Sequence, residues 1–107
     1  MRNRSINFTA VAAAAQRHNL AVLKRFLPDG VVDADRGEYI ALNPKRADRH
    51  RGSFRINLAT GRWADFALDD DAARGGDLIS LAAYLFNIRQ SEAARGLMRM
   101  LGMDARQ

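Results

Sequence analysis

The strongest constraint on the fold is an alternation of apolar and polar residues from Ser53 to Leu58, which a second short run, Arg62 to Phe66, follows after Ala59-Thr60-Gly61. Successive side chains of a strand point to opposite faces, so the apolar members before the turn share one face. These members are Phe54, Ile56 and Leu58. Because two such runs are joined by a turn that contains glycine, the pattern predicts a β-hairpin, with Arg55 on the face opposite the core.

Helical and strand patterns precede the hairpin. Apolar residues recur with helical spacing from Thr9, a candidate N-cap, to Leu27, and they predict one helix or two helices separated near His18-Asn19. The Pro28-Asp29-Gly30 segment predicts a stop and a turn. The run from Glu38 to Leu42 then predicts a short strand.

Two further helices are predicted after the hairpin. Asp77 and Ser91 are placed as their N-caps, and Gly102 as the residue that closes the second. The expected fold class is therefore α+β, with a small antiparallel sheet containing a β-hairpin, flanked by an N-terminal helix and two C-terminal helices. At 107 residues we expect one domain over residues 9–104, preceded by a flexible arm at residues 1–8.

Positive charge is concentrated in one segment. Between Asn43 and Trp63 lie six basic residues and one acidic residue, so this segment carries the whole formal net charge of +5. Such a cluster is typical of a surface that binds a polyanion, although a solvated basic loop has the same composition. The residues predicted to contact nucleic acid are Lys45, Arg46, Arg49, Arg51, Arg55, Arg62 and Trp63. Trp63 either stacks on a base, if it is exposed, or anchors the hairpin as a core residue.

Several kinds of chemistry are disfavoured. With no cysteine, the chain forms neither a disulfide nor a thiolate zinc site, and its serines and two histidines stand in no recognisable catalytic context. The adjacent carboxylates Asp69, Asp70 and Asp71 point in different directions and are interpreted as a solvated loop rather than a cation site. We therefore predict no catalytic residue, metal or cofactor, and a cytoplasmic protein with no membrane association, because no long apolar run occurs.

An ordered set of motifs points to a family. The motifs are Tyr39-x-x-Leu42-Asn43-Pro44, Gly52-Ser53-Phe54-x-Ile56, Gly61-x-Trp63-x-x-Phe66, Gly75-Gly76-Asp77-x-Ile79-x-Leu81 and Glu92-Ala93-Ala94 with Leu97. Together they resemble the N-terminal zinc-binding, zinc-ribbon-like domain of bacterial and phage DNA primases. The resemblance is greater to its cysteine-free form in primase-like proteins of phages, plasmids and integrating elements. It covers about residues 20–102.

The resemblance places the four zinc-ligand positions of the family on Asn43, Arg46, Asp65 and Leu68, with one extra residue before the Ser53-Phe54 strand. Leu68 has no donor atom, so a tetrahedral zinc site cannot form on these residues. Structural zinc normally stabilises so small a fold, and some other contact must replace it. We hypothesise an Arg46–Asp65 ion pair beside a packed Leu68.

The family relationship implies a function in template binding. The expected role is to bind DNA, preferably single-stranded, without catalysis, in the replication or transfer of a mobile element. The implied partner is a toprim-type primase or helicase domain, and the chain would be a fragment or a stand-alone relative of a primase. The alternative is a protein-interaction module that docks on a replication or transfer protein through its C-terminal helices.

Overall fold

The sheet of the molecule is a five-stranded antiparallel meander in which neighbouring strands follow chain order. A computed structural model describes residues 5–46 and 51–103. Its strands are β1 (Val31–Asp33), β2 (Glu38–Ala41), β3 (Phe54–Asn57), β4 (Trp63–Asp65) and β5 (Arg74–Gly75). The predicted α+β class, with its antiparallel sheet, is confirmed, whereas the short outer strands β1 and β5 were not predicted.

The predicted hairpin is formed by β3 and β4. Ile56 pairs with Trp63, and the Asn57 amide donates to the Arg62 carbonyl at 2.7 Å. Asn57 Oδ1 accepts from the amides of Ala59 and Thr60, at 2.8 and 3.1 Å, which holds the turn. Gly61 closes it at φ = 83°, a left-handed conformation that glycine adopts without steric cost. The turn is therefore specified by local side chains.

Two helices precede the sheet, and of the two predicted alternatives, one helix or two separated near His18-Asn19, the second is confirmed. They are α1 (Phe8–Arg17) and α2 (Asn19–Phe26), and they break at His18. The predicted N-cap Thr9 is wrong, because Asn7 Oδ1 accepts from the Ala10 amide at 3.0 Å and the helix begins at Phe8. Of the arm predicted at residues 1–8, Phe8 thus belongs to α1, and residues 1–4 lie outside the described residues.

Two helices follow the sheet: α3 (Leu78–Phe86) and α4 (Gln90–Met100). Asp77 caps α3 as predicted, since its carboxylate accepts from the Ser80 amide at 2.8 Å. The predicted N-cap Ser91 is wrong, because α4 begins at Gln90 and Ser91 lies inside its first turn. Arg89 is the N-cap, and its amide donates to the Glu92 carboxylate at 3.5 Å. Gly102 ends α4 at φ = 69°, and the Met103 amide reaches the Met98 carbonyl at 2.8 Å.

The core lies between the helices and one face of the sheet, which we call the inner face. The inner face contributes Tyr39, Ala41, Phe54, Ile56 and Trp63, and the helices contribute Val11, Val22, Leu23, Ile79, Leu81, Leu97 and others. On the opposite, outer face of the sheet, Glu38, Ile40, Arg55 and Asn57 are half-buried, and none of them belongs to the core cluster. No helix in residues 5–46 and 51–103 is long and apolar enough to cross a membrane.

Candidate nucleic-acid interface

The outer face of the sheet carries a groove of about 860 Å³, which we call the outer-face groove. The strand register aligns Arg55 of β3, Ala64 of β4 and Arg74 of β5 side by side across it. Side chains that line the groove include Glu38, Arg55, Arg62, Phe66, Asp69 and Arg74. Three of the seven predicted contact residues, Arg55, Arg62 and Trp63, thus line one concave surface, although Trp63 is only 4% exposed there. Arg74 joins them, although the sequence interpretation did not include it.

The cations of the outer-face groove differ in how far they are already neutralised. Arg55 Nη1 donates to Glu38 Oε1 at 2.8 Å, and Arg55 Nε donates to the Gly52 carbonyl. Arg74 lies 3.9 Å from the exposed carboxylate of Asp71, a separation that contributes little in water. Arg62 is exposed and forms no ion pair with another described residue. Arg62 and Arg74 are therefore the cations best placed to meet a phosphate.

Phe66 supplies an exposed aromatic ring to the same groove. It follows β4, its amide donates to the Ser53 carbonyl at 2.8 Å, and its side chain is 71% exposed. Sequence reasoning missed this residue as a site candidate. The alternation of strand side chains places Phe66 on the face opposite Trp63 and Asp65, and the structure shows that the face of Trp63 and Asp65 is the buried one.

Trp63 is a core residue, although its buried edge also lines the outer-face groove. It is 4% exposed, and its Nε1–H donates to Ser80 Oγ at 2.9 Å. Its ring also lies 5.0 Å from that of Tyr84 and edge-on to Phe54, with centroids 6.2 Å apart. The interpretation of Trp63 as a core residue that anchors the hairpin is confirmed, and its ring is not available to stack on a base.

Arg46 is held in a polar cluster around Asp65. Arg46 Nε and Asn43 Nδ2 donate to Asp65 Oδ2 at 2.9 and 2.8 Å, and the Ala67 amide donates to Oδ1 at 3.0 Å. The Leu68 amide donates to the Asp65 carbonyl at 3.1 Å, beside its half-buried side chain. The hypothesised Arg46–Asp65 ion pair is confirmed, and hydrogen bonds join Asn43, Arg46 and Leu68 to Asp65.

Electrostatics keep the Asp65 carboxyl ionised although its side chain has no exposed surface. Burial raises the pKa of Asp65, but hydrogen bonds from Asn43, the Ala67 amide and Ser53, together with the charge of Arg46, lower it below the ordinary value. A buried carboxylate with this many donors is a structural tie between the end of β4 and the segment after β2.

Lys45 and Arg51 do not line the outer-face groove. Lys45 Nζ donates to the Tyr84 carbonyl at 2.9 Å and lies 4.6 Å from the centre of the Tyr84 ring. Arg51 Nε donates to the Asp29 carbonyl at 3.0 Å, next to the turn that follows α2. Arg49 lies outside the described residues. The basic segment is therefore contiguous in sequence but divided in space.

The acidic loop has a local structural role. Asp70 Oδ1 accepts from the Ala72 amide at 2.9 Å and begins a single 3-10 turn at Asp71–Ala73. Among residues 5–46 and 51–103, no group of three or more histidine, aspartate or glutamate side chains is arranged to hold a metal ion.

The comparisons leave the family open: protein-family models, curated proteins and solved structures gave no significant match to this chain.

Proposed function

We propose that this domain is a non-catalytic module that binds single-stranded nucleic acid, preferably DNA, across the outer face of its sheet. One observation carries the proposal: the outer-face groove combines Arg55, Arg62 and Arg74 with the exposed ring of Phe66. Cations along a groove track a phosphate backbone, and an exposed aromatic ring receives a base. This pairing of features is typical of single-strand binding surfaces.

The arginines supply the affinity that does not depend on sequence. Each phosphate neutralised releases condensed counterions, so binding to a single strand weakens with salt by a log–log slope of about −0.7 per contact. Arg62 and Arg74 make the principal contacts, because Arg55 is already engaged by Glu38 at 2.8 Å. We therefore expect a slope of about −1.4 for the unchanged domain.

Phe66 supplies the preference for single strands. A base stacks on an aromatic side chain only when its flat face is accessible, which is the case in a single strand and not within a duplex. Alanine substitution of a stacking residue costs about 1–3 kcal/mol per base. Phe66 thus takes the role that sequence analysis considered for Trp63.

We further propose that the domain is related to the primase zinc-binding domain and serves a separate toprim-type primase or helicase in the cytoplasm, as part of a mobile element. The support is the resemblance in sequence, together with the contacts that gather Asn43, Arg46 and Asp65 at equivalent ligand positions. Here a buried carboxylate with its donors takes the place of the metal. The domain is thus a zinc-free variant of a zinc-ribbon-like module.

Fluorescence anisotropy with a labelled oligothymidylate and a duplex of equal length tests the proposal. Arg62→Glu should weaken binding several-fold and flatten the salt slope, and Phe66→Ala should weaken binding of the single strand by roughly 5- to 150-fold. Arg95→Glu is the matched control, since Arg95 is exposed on α4 and does not line the outer-face groove. Affinity that does not depend on salt, or equal effects of both charge reversals, contradicts the proposal.

A further inference from the structure

A second groove lies on the helical layer, between the end of α2 and one side of α4. We call it the helical groove; its volume is about 420 Å³ and its apolar lining includes Phe26, Phe86, Ile88, Ala93, Gly96 and Met100. Phe86 is 54% exposed, and its ring meets that of Phe26 edge-on, with centroids 5.3 Å apart. Two aromatic rings thus form one wall of a surface that no described residue covers.

Gly96 forms part of the floor of the helical groove. It lies inside α4, where glycine is among the least favourable residues because it gains no packing and loses the most backbone freedom. Packing within the chain does not require it, since an added Cβ would meet nothing nearer than the Arg99 guanidinium at 4.0 Å. A missing side chain at this point leaves room for another chain to approach the α4 backbone.

The rim of the helical groove is positively charged. Arg25 of α2 and Arg99 of α4 line it, both are exposed, and neither forms an ion pair with another described residue. Glu92 is the acidic residue of the lining, and its carboxylate lies 3.3 Å from Arg89 Nε. Charge complementarity therefore favours an acidic occupant.

We propose that the helical groove binds an amphipathic helix of a partner protein, with apolar side chains on one face and aspartates or glutamates beside them. The lining positions on α4 recur at Glu92, Gly96 and Met100, so the groove follows the helix axis over about two turns, or roughly 12 Å. A helix laid in such a groove anchors itself through side chains at i, i+3, i+4 and i+7. The occupant is thus distinct from the nucleic acid proposed for the outer face.

A designed peptide tests this docking surface. The probe is a fluorescein-labelled helical peptide with leucines at i, i+3, i+4 and i+7 and glutamates beside them; the control peptide has lysines in place of the glutamates. We expect the acidic peptide to bind at least about tenfold more tightly than the basic one. The double variant Arg25→Glu/Arg99→Glu should reverse this preference. Equal binding of the two peptides by the unchanged domain, or no binding of either, overturns the proposal.

Substitutions of Gly96 and Phe86, which line the helical groove, test whether the peptide binds there. Gly96→Leu places a bulky side chain, and a better helix former, at the floor of the helical groove. It should raise Tm and weaken binding of the acidic peptide at least about tenfold. Phe86→Ala, at an exposed ring, is a second variant with the same expected loss. Amide shifts of Gly96 and Leu97 on addition of peptide should accompany binding. Unchanged affinity in both variants overturns the proposal.

Two further measurements separate this inference from its competitors. Oligothymidylate binding should be the same for Gly96→Leu and the unchanged domain, so that failure of the helical groove and failure of the outer-face groove are distinguishable. Sedimentation of the unchanged domain should show a monomer. A dimer that Gly96→Leu dissociates would mean that the occupant is a second copy of this chain, and it would overturn the assignment to an acidic partner helix.

Discussion

Arg46 donates from Nε to Oδ2 of Asp65 at 2.9 Å, and that carboxylate has no exposed surface. Asn43 Nδ2 donates to the same oxygen at 2.8 Å. The segment that follows β2 is thereby joined to the end of β4, although 22 positions separate Asn43 from Asp65. Because a buried charge is stable only with its partners present, this contact should dominate the stability of its end of the sheet.

Asp65→Ala should lower the free energy of unfolding by about 2–4 kcal/mol. Breaking a fully buried ion pair costs about 3–5 kcal/mol, and we discount that cost because Arg46 is 29% exposed. Urea denaturation measures the change. Asp69→Ala, at an exposed acid in the following loop, is the control and should change stability by less than about 0.5 kcal/mol. Equal values for the two variants would show that the cluster is not a structural tie.

Acid should remove the stabilisation that the Asp65 carboxylate provides. The folded state lowers the pKa of Asp65 below 3.8, because its hydrogen bonds and Arg46 outweigh the effect of burial. The resulting stabilisation is complete above the ordinary pKa and is lost as the pH falls from about 4 through the folded pKa. The Tm difference between the unchanged domain and Asp65→Asn should therefore shrink in acid. A difference that is constant from about pH 6 to 3 would be inconsistent with this titration.

Glu38→Gln should strengthen nucleic-acid binding. The substitution removes the negative charge that lies 2.8 Å from Arg55 Nη1, so Arg55 becomes available to a phosphate in the outer-face groove. We expect oligothymidylate affinity to rise by roughly two- to fivefold and the salt slope to steepen by about 0.7. Glu92→Gln removes the same charge from the Arg89 pair on α4 and should leave binding unchanged. An affinity that falls or stays constant in Glu38→Gln would argue against the outer face as the binding surface.

Gly75→Ala and Gly76→Ala should differ sharply. A Cβ at Gly75 would lie 2.6 Å from Trp63 Nε1 and would also collide with Ser80 Oγ, whereas at Gly76 it would meet no atom within 4 Å. Overpacking of this kind costs about 1–3 kcal/mol. We expect Gly75→Ala to lower Tm, Gly76→Ala to leave it nearly unchanged, and acrylamide quenching of Trp63 to increase in Gly75→Ala alone. Equal Tm values would contradict the close approach of β5 to Trp63.

Sequence analysis succeeded where the decisive contacts are local. The hairpin depends on Asn57 and Gly61, within five positions of each other, and the start of α3 depends on Asp77 and Ser80. The Arg46–Asp65 pair is a different case. It was hypothesised from the resemblance to a zinc-binding domain, because no periodic pattern connects residues so far apart.

The missed features have a common cause. Strands β1 and β5 contain three and two residues, too few for a period of two to be visible, and they exist because β2 and β4 supply their hydrogen bonds. The aromatic residue of the candidate site was also assigned wrongly, because burial of a strand face depends on distant parts of the chain. The alternation separated Trp63 from Ala64 but did not state which face was buried, so Phe66 was overlooked as the exposed ring.

The amino-acid sequence by itself determined the fold class, the hairpin turn and the start of α3, because the hydrogen bonds that specify them join residues a few positions apart. Tertiary structure alone decided which basic residues face solvent. It paired the half-buried Arg46 with the buried Asp65, engaged Arg55 with Glu38, and left Arg62 exposed in the same groove as Phe66. The physical reason is that burial and ion pairing depend on which strands and helices meet, a property of the whole packed chain rather than of any one segment.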